Sequence, residues 1–143
     1  MPTAATVPQR TSARAWATLI PMSFSGEDLE AIDAAEEVRI ETQAPGGATH
    51  STIIWIVVDD TEVFVRSVNG EDGRWYQEAK ANPAVAIHVD RRRIPATAIP
   101  ADDPDSIDRV SAALKAKYAD EGASLRSMLQ PHNLATTLRL EPA

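Results

Sequence analysis

Hydrophobic and polar positions alternate along much of this chain with the period of two that is typical of half-buried β-strands. The alternation predicts strands at residues 38–42, 62–67, 84–89, 93–99 and 136–140. Residues 52–58 are apolar on both faces, so we expect a strand that is covered on both sides. Asp59-Asp60 and the run Arg91-Arg92-Arg93 are expected to turn two hairpins, and Pro95 to make part of its strand an edge.

Three helices are predicted between these strands, at about 26–36, at 74–81, and from 104 to a stop at Gly122. Ser25 is an expected cap for the first helix, and Asp103-Pro104 is a typical start for the third. Asn82-Pro83 ends the second helix, because proline disfavours a helical conformation in the residue before it.

Six short strands, joined mainly as hairpins, with two or three helices predict an α+β protein that is mainly β. The expected architecture is a small antiparallel barrel packed by helices, and an α+β sandwich is the alternative. Residues 1–14, rich in Ala, Thr, Pro and Ser, are expected to form a disordered arm. Residues 15–143 are expected to form a single domain, whose first segment, 15–22, is ambiguous between a strand and a helical turn.

Composition excludes several classes of function. The net charge of −7 argues against a general nucleic-acid surface. The absence of cysteine rules out disulfides, thiolate metal sites and a cysteine nucleophile. The longest apolar run, Ile53–Val58, is too short to cross a membrane, and the N-terminus lacks the apolar core of a secretory signal. We therefore expect a cytoplasmic protein that binds neither nucleic acid nor membrane.

The patterns of common catalytic and metal sites are also missing. His50, His88 and His132 lie far apart with no paired spacing, so we expect no metal site. His50 and His132 are expected in loops, where either could contact a ligand, and His88 on a strand. No serine has the setting of a nucleophile elbow, and no glycine-rich phosphate loop is present.

A charged and aromatic cluster stands where a strand, a glycine-bearing loop and a helix meet. Its members are Arg66, Ser67, Arg74, Trp75, Tyr76 and Lys80. Gly70 and Gly73 could turn backbone N–H groups toward an anion, and the start of the helix favours one. The arginine fork suits phosphate, and the aromatic rings suit a flat ligand. The structural alternative is that Arg66 pairs with Glu41 or Glu78 and that Trp75 only anchors the core.

This region carries a resemblance to a known superfamily. Arg66-Ser67 through Gly70, then Trp75-Tyr76 and Ala81-Asn82-Pro83 before a hairpin, resembles the flavin and deazaflavin oxidoreductase superfamily of split β-barrels. It is most similar to an uncharacterised bacterial branch related to deazaflavin-dependent nitroreductases, and the resemblance covers roughly residues 24–142. It implies a split barrel that forms a homodimer, with FMN or a deazaflavin coenzyme between the protomers.

The resemblance also implies a set of cofactor-binding residues: Ser51, Thr52, Ile54, Trp55, Arg66, Ser67, Gly70, Trp75, Tyr76 and Lys80. It identifies no catalytic residue. Deazaflavin-using relatives usually hold the cofactor phosphate with Lys or Arg in the loop before the second strand. Here that loop, residues 44–50, has no permanent cation. Backbone N–H groups, His50, Ser51 and Thr52 would have to replace it.

Three hypotheses of function follow. The first is a flavin- or deazaflavin-binding oxidoreductase that transfers a hydride to a small organic substrate. The second keeps the split barrel without a redox cofactor, as a small-molecule-binding protein or a cofactor-free isomerase or cyclase. The third is a dimeric structural domain in which the aromatic cluster forms the core of the interface.

Overall fold

The computed structural model describes residues 23–143, so the predicted arm at 1–14 and the ambiguous segment 15–22 lie outside the described residues. The strands are β1 (Val38–Gln43), β2 (Thr49–Ile54), β3 (Ile56–Asp59), β4 (Glu62–Val65), β5 (Ala84–Val89), β6 (Arg92–Pro100) and β7 (Leu138–Pro142). The helices are α1 (Gly26–Ala34), α2 (Arg74–Ala81), α3 (Pro104–Lys117), α4 (Ala123–Met128) and α5 (Pro131–Leu134). Short 3₁₀ turns lie at Gly70–Asp72 and Ala119–Glu121.

All seven strands belong to one antiparallel sheet with the order β2-β1-β5-β6-β7-β4-β3. The two outermost strands, β2 and β3, are consecutive in the chain and are separated by Trp55 alone. The two edges of the sheet must therefore lie close together, and the sheet curls into a barrel. This confirms the prediction of a mainly β, antiparallel split barrel packed by helices.

The prediction of one fully covered strand at 52–58 is wrong in two respects. The strand breaks at Trp55, and Ile53 is 52 % exposed. The break separates two pairings, since β2 pairs with β1 and β3 pairs with β4. The Tyr118 hydroxyl lies at this point: it accepts a hydrogen bond from the Ile56 N–H (3.2 Å) and donates one to the Glu36 carbonyl (2.7 Å). Only the β3 half is covered on both faces, because α1 and α3 pack against it.

The apolar side chains form two cores, one on each face of the curled sheet. Inside the barrel, residues such as Ile40, Val63, Ile87 and Leu140 are almost completely buried. On the outer face of β3 and β4, a second core joins Val57 and Phe64 to the buried face of α3, Val110, Leu114 and Tyr118. The helical spacing predicted for α3 therefore does cover the sheet.

The local signals for helix and strand ends are largely confirmed. Ser25 Oγ accepts a hydrogen bond from the Asp28 N–H (3.1 Å), and Asp103 Oδ2 accepts one from the Ser106 N–H (3.0 Å). Helix α2 has the predicted bounds. In β6, residues 92–95 are in register only with β5, residues 96 and 97 with both β5 and β7, and residues 98–100 only with β7, so Pro95 lies just before the second neighbouring strand begins to pair. The C-terminal region differs: it holds two short helices, and β7 begins at Leu138.

None of the helices described within residues 23–143 is long and apolar enough to span a bilayer.

Candidate functional site

A cavity of about 250 Å³ opens where β2, the end of β4, the start of α2 and α4 meet. Its lining combines two tryptophans, aliphatic side chains and a few polar groups: Glu37, Thr52, Ile53, Ile54, Trp55, Arg66, Val68, Asn69, Trp75, Ser124 and Met128. Apolar walls with a few convergent polar groups are the usual composition of a small-molecule site. We therefore take this cavity as the candidate site.

Five of the ten residues that the resemblance assigned to a cofactor line this cavity: Thr52, Ile54, Trp55, Arg66 and Trp75. They come from β2, the residue after it, the end of β4 and the first turn of α2. These segments are distant in sequence, and the curled sheet brings them together.

The other five predicted residues do not line the cavity. Ser51 is exposed on β2, whereas Ser67 and Gly70 are buried. Tyr76 and Lys80 instead border a separate shallow depression along α2, where the Lys80 ammonium lies 5.6 Å from the centre of the Tyr76 ring. The cavity therefore gives no geometric support to the predicted role of these five residues in cofactor binding.

The two tryptophans are fixed by neighbouring aromatic rings. Trp55 stacks on Tyr118, with ring centres 3.9 Å apart and planes inclined by 3°. Trp75 meets Tyr76 edge to face at 6.2 Å and is also part of the barrel core. One face of Trp55 is therefore occupied by Tyr118, and the lining side chains are held by packing rather than by contact with a ligand.

Only 1 % of the Arg66 surface is exposed, and the residue has no carboxylate partner among the described residues. Its guanidinium makes four hydrogen bonds to neutral acceptors: Thr137 Oγ1 (2.9 Å), Ser111 Oγ (3.1 Å), the Met128 carbonyl (3.3 Å) and the Ile107 carbonyl (3.2 Å). Burial lowers the pKa of Arg66 to about 10, so the group stays positively charged at neutral pH. A guanidinium carries five N–H groups, which leaves one on Nη2 outside these bonds.

The structural alternative for Arg66, an ion pair with Glu41 or Glu78, is wrong because both carboxylates have other partners. Glu41 binds Arg93 and His88, and these two bonds lower its pKa to about 2. Glu78, buried on α2, accepts a hydrogen bond from the Thr42 hydroxyl (2.7 Å) and contacts His50 Nδ1 (2.7 Å). The Thr42 bond, followed by the His50 contact, holds the Glu78 pKa below its ordinary value against the opposing effect of burial.

The histidines lie partly where the sequence placed them. His50 belongs to β2 rather than to a loop, and it packs against Glu78. His88 is a half-exposed strand residue, as expected. His132 lies in α5 rather than in a loop. Within residues 23–143, no group of three or more His, Asp or Glu side chains could hold a metal ion.

The loop from Ser67 to Gly73 is compact, and its two glycine amides are not free for an anion as the sequence suggested. The Gly70 N–H bonds the Ser67 carbonyl (3.2 Å), and the Gly73 N–H bonds the Gly70 carbonyl (3.3 Å). Gly70 has a φ of +63°, which favours glycine. Gly73 is required for space, because a Cβ there would lie 2.6 Å from Ser67 Oγ. The glycines therefore shape the loop, and their own amides are used within it.

The loop that the resemblance links to a phosphate lies away from the cavity. Residues 44–48 connect the far ends of β1 and β2, whereas the cavity is at the opposite ends of these strands, near Glu37 and Ile54. Three residues of β2, 49–51, separate this loop from Thr52, the nearest lining residue, which makes roughly 13 Å at about 3.3 Å per residue. The loop therefore does not line the cavity.

Six of the lining residues were not identified from the sequence: Glu37, Ile53, Val68, Asn69, Ser124 and Met128. Two of them, Ile53 and Val68, are the exposed large hydrophobic side chains of the described chain, at 52 % and 44 %. An apolar residue next to a polar strand end was a usable signal for Val68. Ser124 and Met128 were not predictable, since α4 has no strong helical pattern of its own.

Comparison with known proteins supports the fold and a family. Residues 28–140 match the family described as "Uncharacterized protein conserved in bacteria (DUF2255)". None of the curated proteins matches this sequence.

Several solved structures share the architecture. A conserved hypothetical protein, Rv2991 from Mycobacterium tuberculosis, aligns with a TM-score of 0.61 at 16 % identity, over 85 % of this chain and 81 % of its own. The heme storage protein HutZ from Vibrio cholerae aligns with 0.60 at 18 % identity, over 85 % and 92 %. An F420-H2 dependent reductase, FDR-A, aligns with 0.57 at 16 % identity, over 74 % and 94 %. At such identities the likeness establishes the fold alone.

Proposed function

The chain belongs to this family of uncharacterised bacterial proteins, and we propose that it binds a flat, ring-bearing cofactor of the flavin or deazaflavin type and acts as an oxidoreductase. One observation carries the proposal. One cavity of the split barrel is lined by Trp55, Trp75 and Arg66, and the buried Arg66 has no carboxylate partner among the described residues. Flat apolar walls beside a fixed positive charge are complementary to a ring that carries polar edges and accepts negative charge on reduction.

The size of the cavity supports part of such a cofactor. At about 250 Å³ it lies slightly below the roughly 300–1,000 Å³ of typical small-molecule sites. A flat ring would occupy the space beside Trp55, and the rest of the cofactor would extend past the exposed rim at Ile53 and Val68. The donor set fits a ring better than a phosphate, because the Gly70 and Gly73 amides and four of the five donors of Arg66 already have partners.

Five of the lining residues then have specific tasks. A bound flavin or deazaflavin supplies hydride transfer. The stack on Tyr118 fixes the orientation of Trp55, and so the plane against which a ring can pack. Arg66 contributes a permanent positive charge in a region of low dielectric, where it acts more strongly than in water. Ile54, Trp75 and Met128 exclude water from the inner end of the cavity.

We propose further that the protein is a homodimer and that a second protomer completes the site. The two exposed large hydrophobic side chains, Ile53 and Val68, both lie on the cavity. A solved structure with the same fold, aligned with a TM-score of 0.59 at 15 % identity, is titled a domain-swapped dimer. Covering the rim with another copy would bury these side chains and enlarge the enclosed volume.

Absorbance spectra and fluorescence titrations with FMN, riboflavin and F420 test the proposed function. We expect saturable binding of at least one of them, accompanied by quenching of tryptophan emission. Trp55→Leu should weaken this binding by roughly two- to tenfold, since ring stacking is worth about 0.5–1.5 kcal/mol beyond area burial. Gln77→Leu, on the exposed face of α2, is the matched control and should bind like the wild type. Absence of binding for all three compounds would rule the proposal out.

A small-molecule-binding split barrel without a redox cofactor, or a cofactor-free isomerase or cyclase, is the second candidate. Two observations favour it: Arg66 donates four of its five N–H groups to the protein, and the loop at 44–48 carries no cation. A colourless protein that is thermally stabilised by another ligand, and loses that stabilisation in Trp75→Ala, would support it. Hemin belongs in that ligand panel, because HutZ, a protein of similar fold, is described as a heme storage protein.

A further inference from the structure

A second cleft of about 510 Å³ lies beside the candidate cavity, between the β5–β6 turn and the start of β1. Four arginines line it, Arg39, Arg91, Arg92 and Arg93, in a chain with only 14 Lys and Arg residues and a net charge of −7. His88 also lines it, as do the carboxylates of Glu37 and Asp90. The arginines of the lining therefore outnumber its carboxylates by four to two.

The strand register places two of these arginines, Arg39 and Arg93, in one row across the sheet. Ile53, Arg39, His88 and Arg93 are successive cross-strand neighbours on β2, β1, β5 and β6. Paired residues in an antiparallel sheet project on the same face, so the row forms one continuous strip on the outer surface. Neighbouring strands are about 4.8 Å apart, which brings Arg39 within one strand spacing of the exposed Ile53.

The four arginines differ in whether their charge is already balanced. Arg92 pairs with Asp28 (3.1 Å), and Arg93 pairs with Glu41 (2.8 Å). Arg39 and Arg91 form no ion pair with any residue in the described part of the chain. Two guanidinium forks are therefore available to an incoming anion, and the planar fork suits the oxygens of a phosphate.

The backbone at the turn is held in an unusual conformation. Asp90 and Arg91 both have positive φ angles, +50° and +64°, in a two-residue hairpin turn. Asn and Gly normally occupy such turns, because a Cβ disfavours the left-handed conformation. The turn therefore places an arginine at the tip of the hairpin where a smaller residue would fold more easily.

The cleft is continuous with the cavity, since Glu37 and Ile53 line both. We propose that this arginine-lined cleft is a phosphate subsite, which binds the phosphate or diphosphate group of a small molecule through Arg39 and Arg91. The ring end of that molecule lies in the tryptophan-lined cavity, a part of the inference that rests on the proposed function. The cleft thus supplies the cations that the loop at 44–50 lacks.

Calorimetric titration of the full-length protein with inorganic pyrophosphate tests the subsite independently of any ring. The double variant Arg39→Gln with Arg91→Asn removes both free forks, and asparagine tolerates the left-handed turn. We expect it to bind pyrophosphate at least about tenfold more weakly, as the loss of charge-assisted hydrogen bonds predicts. Lys115→Gln with Arg126→Gln removes the same charge from exposed helical positions and should bind like the wild type.

A comparison of FMN with riboflavin shows which molecule carries the phosphate. Tighter binding of FMN than of riboflavin, with the difference lost in the double variant, places the phosphate on the ring ligand. Equal binding of the two, with pyrophosphate still dependent on Arg39 and Arg91, assigns the cleft to a separate phosphorylated molecule. The subsite is refuted if the wild type does not bind pyrophosphate, or if the double variant binds it equally well. Failure of FMN, riboflavin and F420 to bind would remove the proposed function and leave the pyrophosphate result standing.

Discussion

Arg66 shows how one residue can carry both structure and function in this protein. Its side chain connects the end of β4 to α3, α4 and the residue before β7 through four hydrogen bonds, and it also lines the cavity. A buried charge without a counter-ion is costly, and it persists only when its donors are satisfied. The arginine therefore holds these elements together, and its positive charge also acts on the cavity.

We expect Arg66→Ala to lower the free energy of unfolding by about 2–4 kcal/mol, since it removes a buried side chain and leaves buried acceptors without partners. Arg66→Met keeps much of the volume and removes the desolvated charge, so it should be less destabilising than alanine. Urea denaturation followed by circular dichroism measures both. Arg74→Ala, at an exposed position, should change the value by at most about 0.5 kcal/mol. Equal stability of Arg66→Ala and the wild type would show that the four bonds contribute nothing net.

The ion-paired Glu41 should make stability depend on pH in the acid range. Its pKa falls from an ordinary value of 4.5 to about 2 in the folded protein, because it accepts bonds from Arg93 and His88. The stabilisation is complete above about pH 4.5 and is lost as the pH falls toward 2. We expect Glu41→Gln to be less stable at pH 7 by about 1–2 kcal/mol, a modest value because Arg93 is half exposed.

Thermal melts of wild type and Glu41→Gln between pH 7 and pH 3 measure this effect. The difference between the two proteins should shrink as the pH falls below about 4.5, because the Glu41 carboxylate of the unfolded chain then takes up a proton while the folded one stays ionised. Glu30→Gln, exposed on α1, is the control and should follow the wild type across the range. A difference that stays constant with pH would contradict the assignment of the stabilisation to an ionised Glu41.

At the level of elements, the junction between β4 and α2 depends on the absence of a side chain at residue 73. We expect Gly73→Ala to destabilise the protein by about 1–3 kcal/mol, because the new Cβ would lie 2.6 Å from the buried Ser67 Oγ. The backbone itself permits alanine, since φ of Gly73 is −64°. Denaturation of Gly73→Ala, Ser67→Ala and the double variant forms a cycle that isolates this contact.

The double variant should recover most of the loss, because Ser67→Ala removes the clashing oxygen. Ser67 Oγ has no hydrogen-bond partner among the described residues, so Ser67→Ala alone should be nearly neutral. Gly26→Ala is the matched control, since nothing lies within 4 Å of its Cβ position. Additive losses in the cycle would show that the two positions do not interact.

The same junction illustrates how far the sequence predicts the structure. The bounds of α2 and its stop at Asn82 followed from local signals, which depend on neighbouring residues only. The break at Trp55 did not, because it separates a strand that pairs with β1 from one that pairs with β4, and these pairings are set by the tertiary structure. Only five of the ten predicted site residues reach the cavity, again because of tertiary structure. The motif was recognisable in the sequence, but packing sets the direction of each side chain.

At the scale of the whole molecule, the curled sheet leaves its cavity open beside two exposed hydrophobic side chains. Both line the cavity: Ile53 belongs to β2, and Val68 follows the end of β4. Burial of such side chains contributes about 1.5–3 kcal/mol each, and a stable interface needs roughly 800 Å² per partner. The two side chains are therefore expected to be the centre of a larger contact.

We expect the protein to elute as a dimer in size-exclusion chromatography with light scattering at micromolar concentration. Ile53→Glu and Val68→Glu should each shift it to monomer, since each would place a charge in the centre of the contact. Both positions are exposed in one protomer, so circular dichroism should show an intact fold. Gln77→Glu, exposed on α2, should remain dimeric. A monomeric wild type would remove the dimer, and the cavity bordered by Ile53 and Val68 would then have to bind its ligand within a single chain.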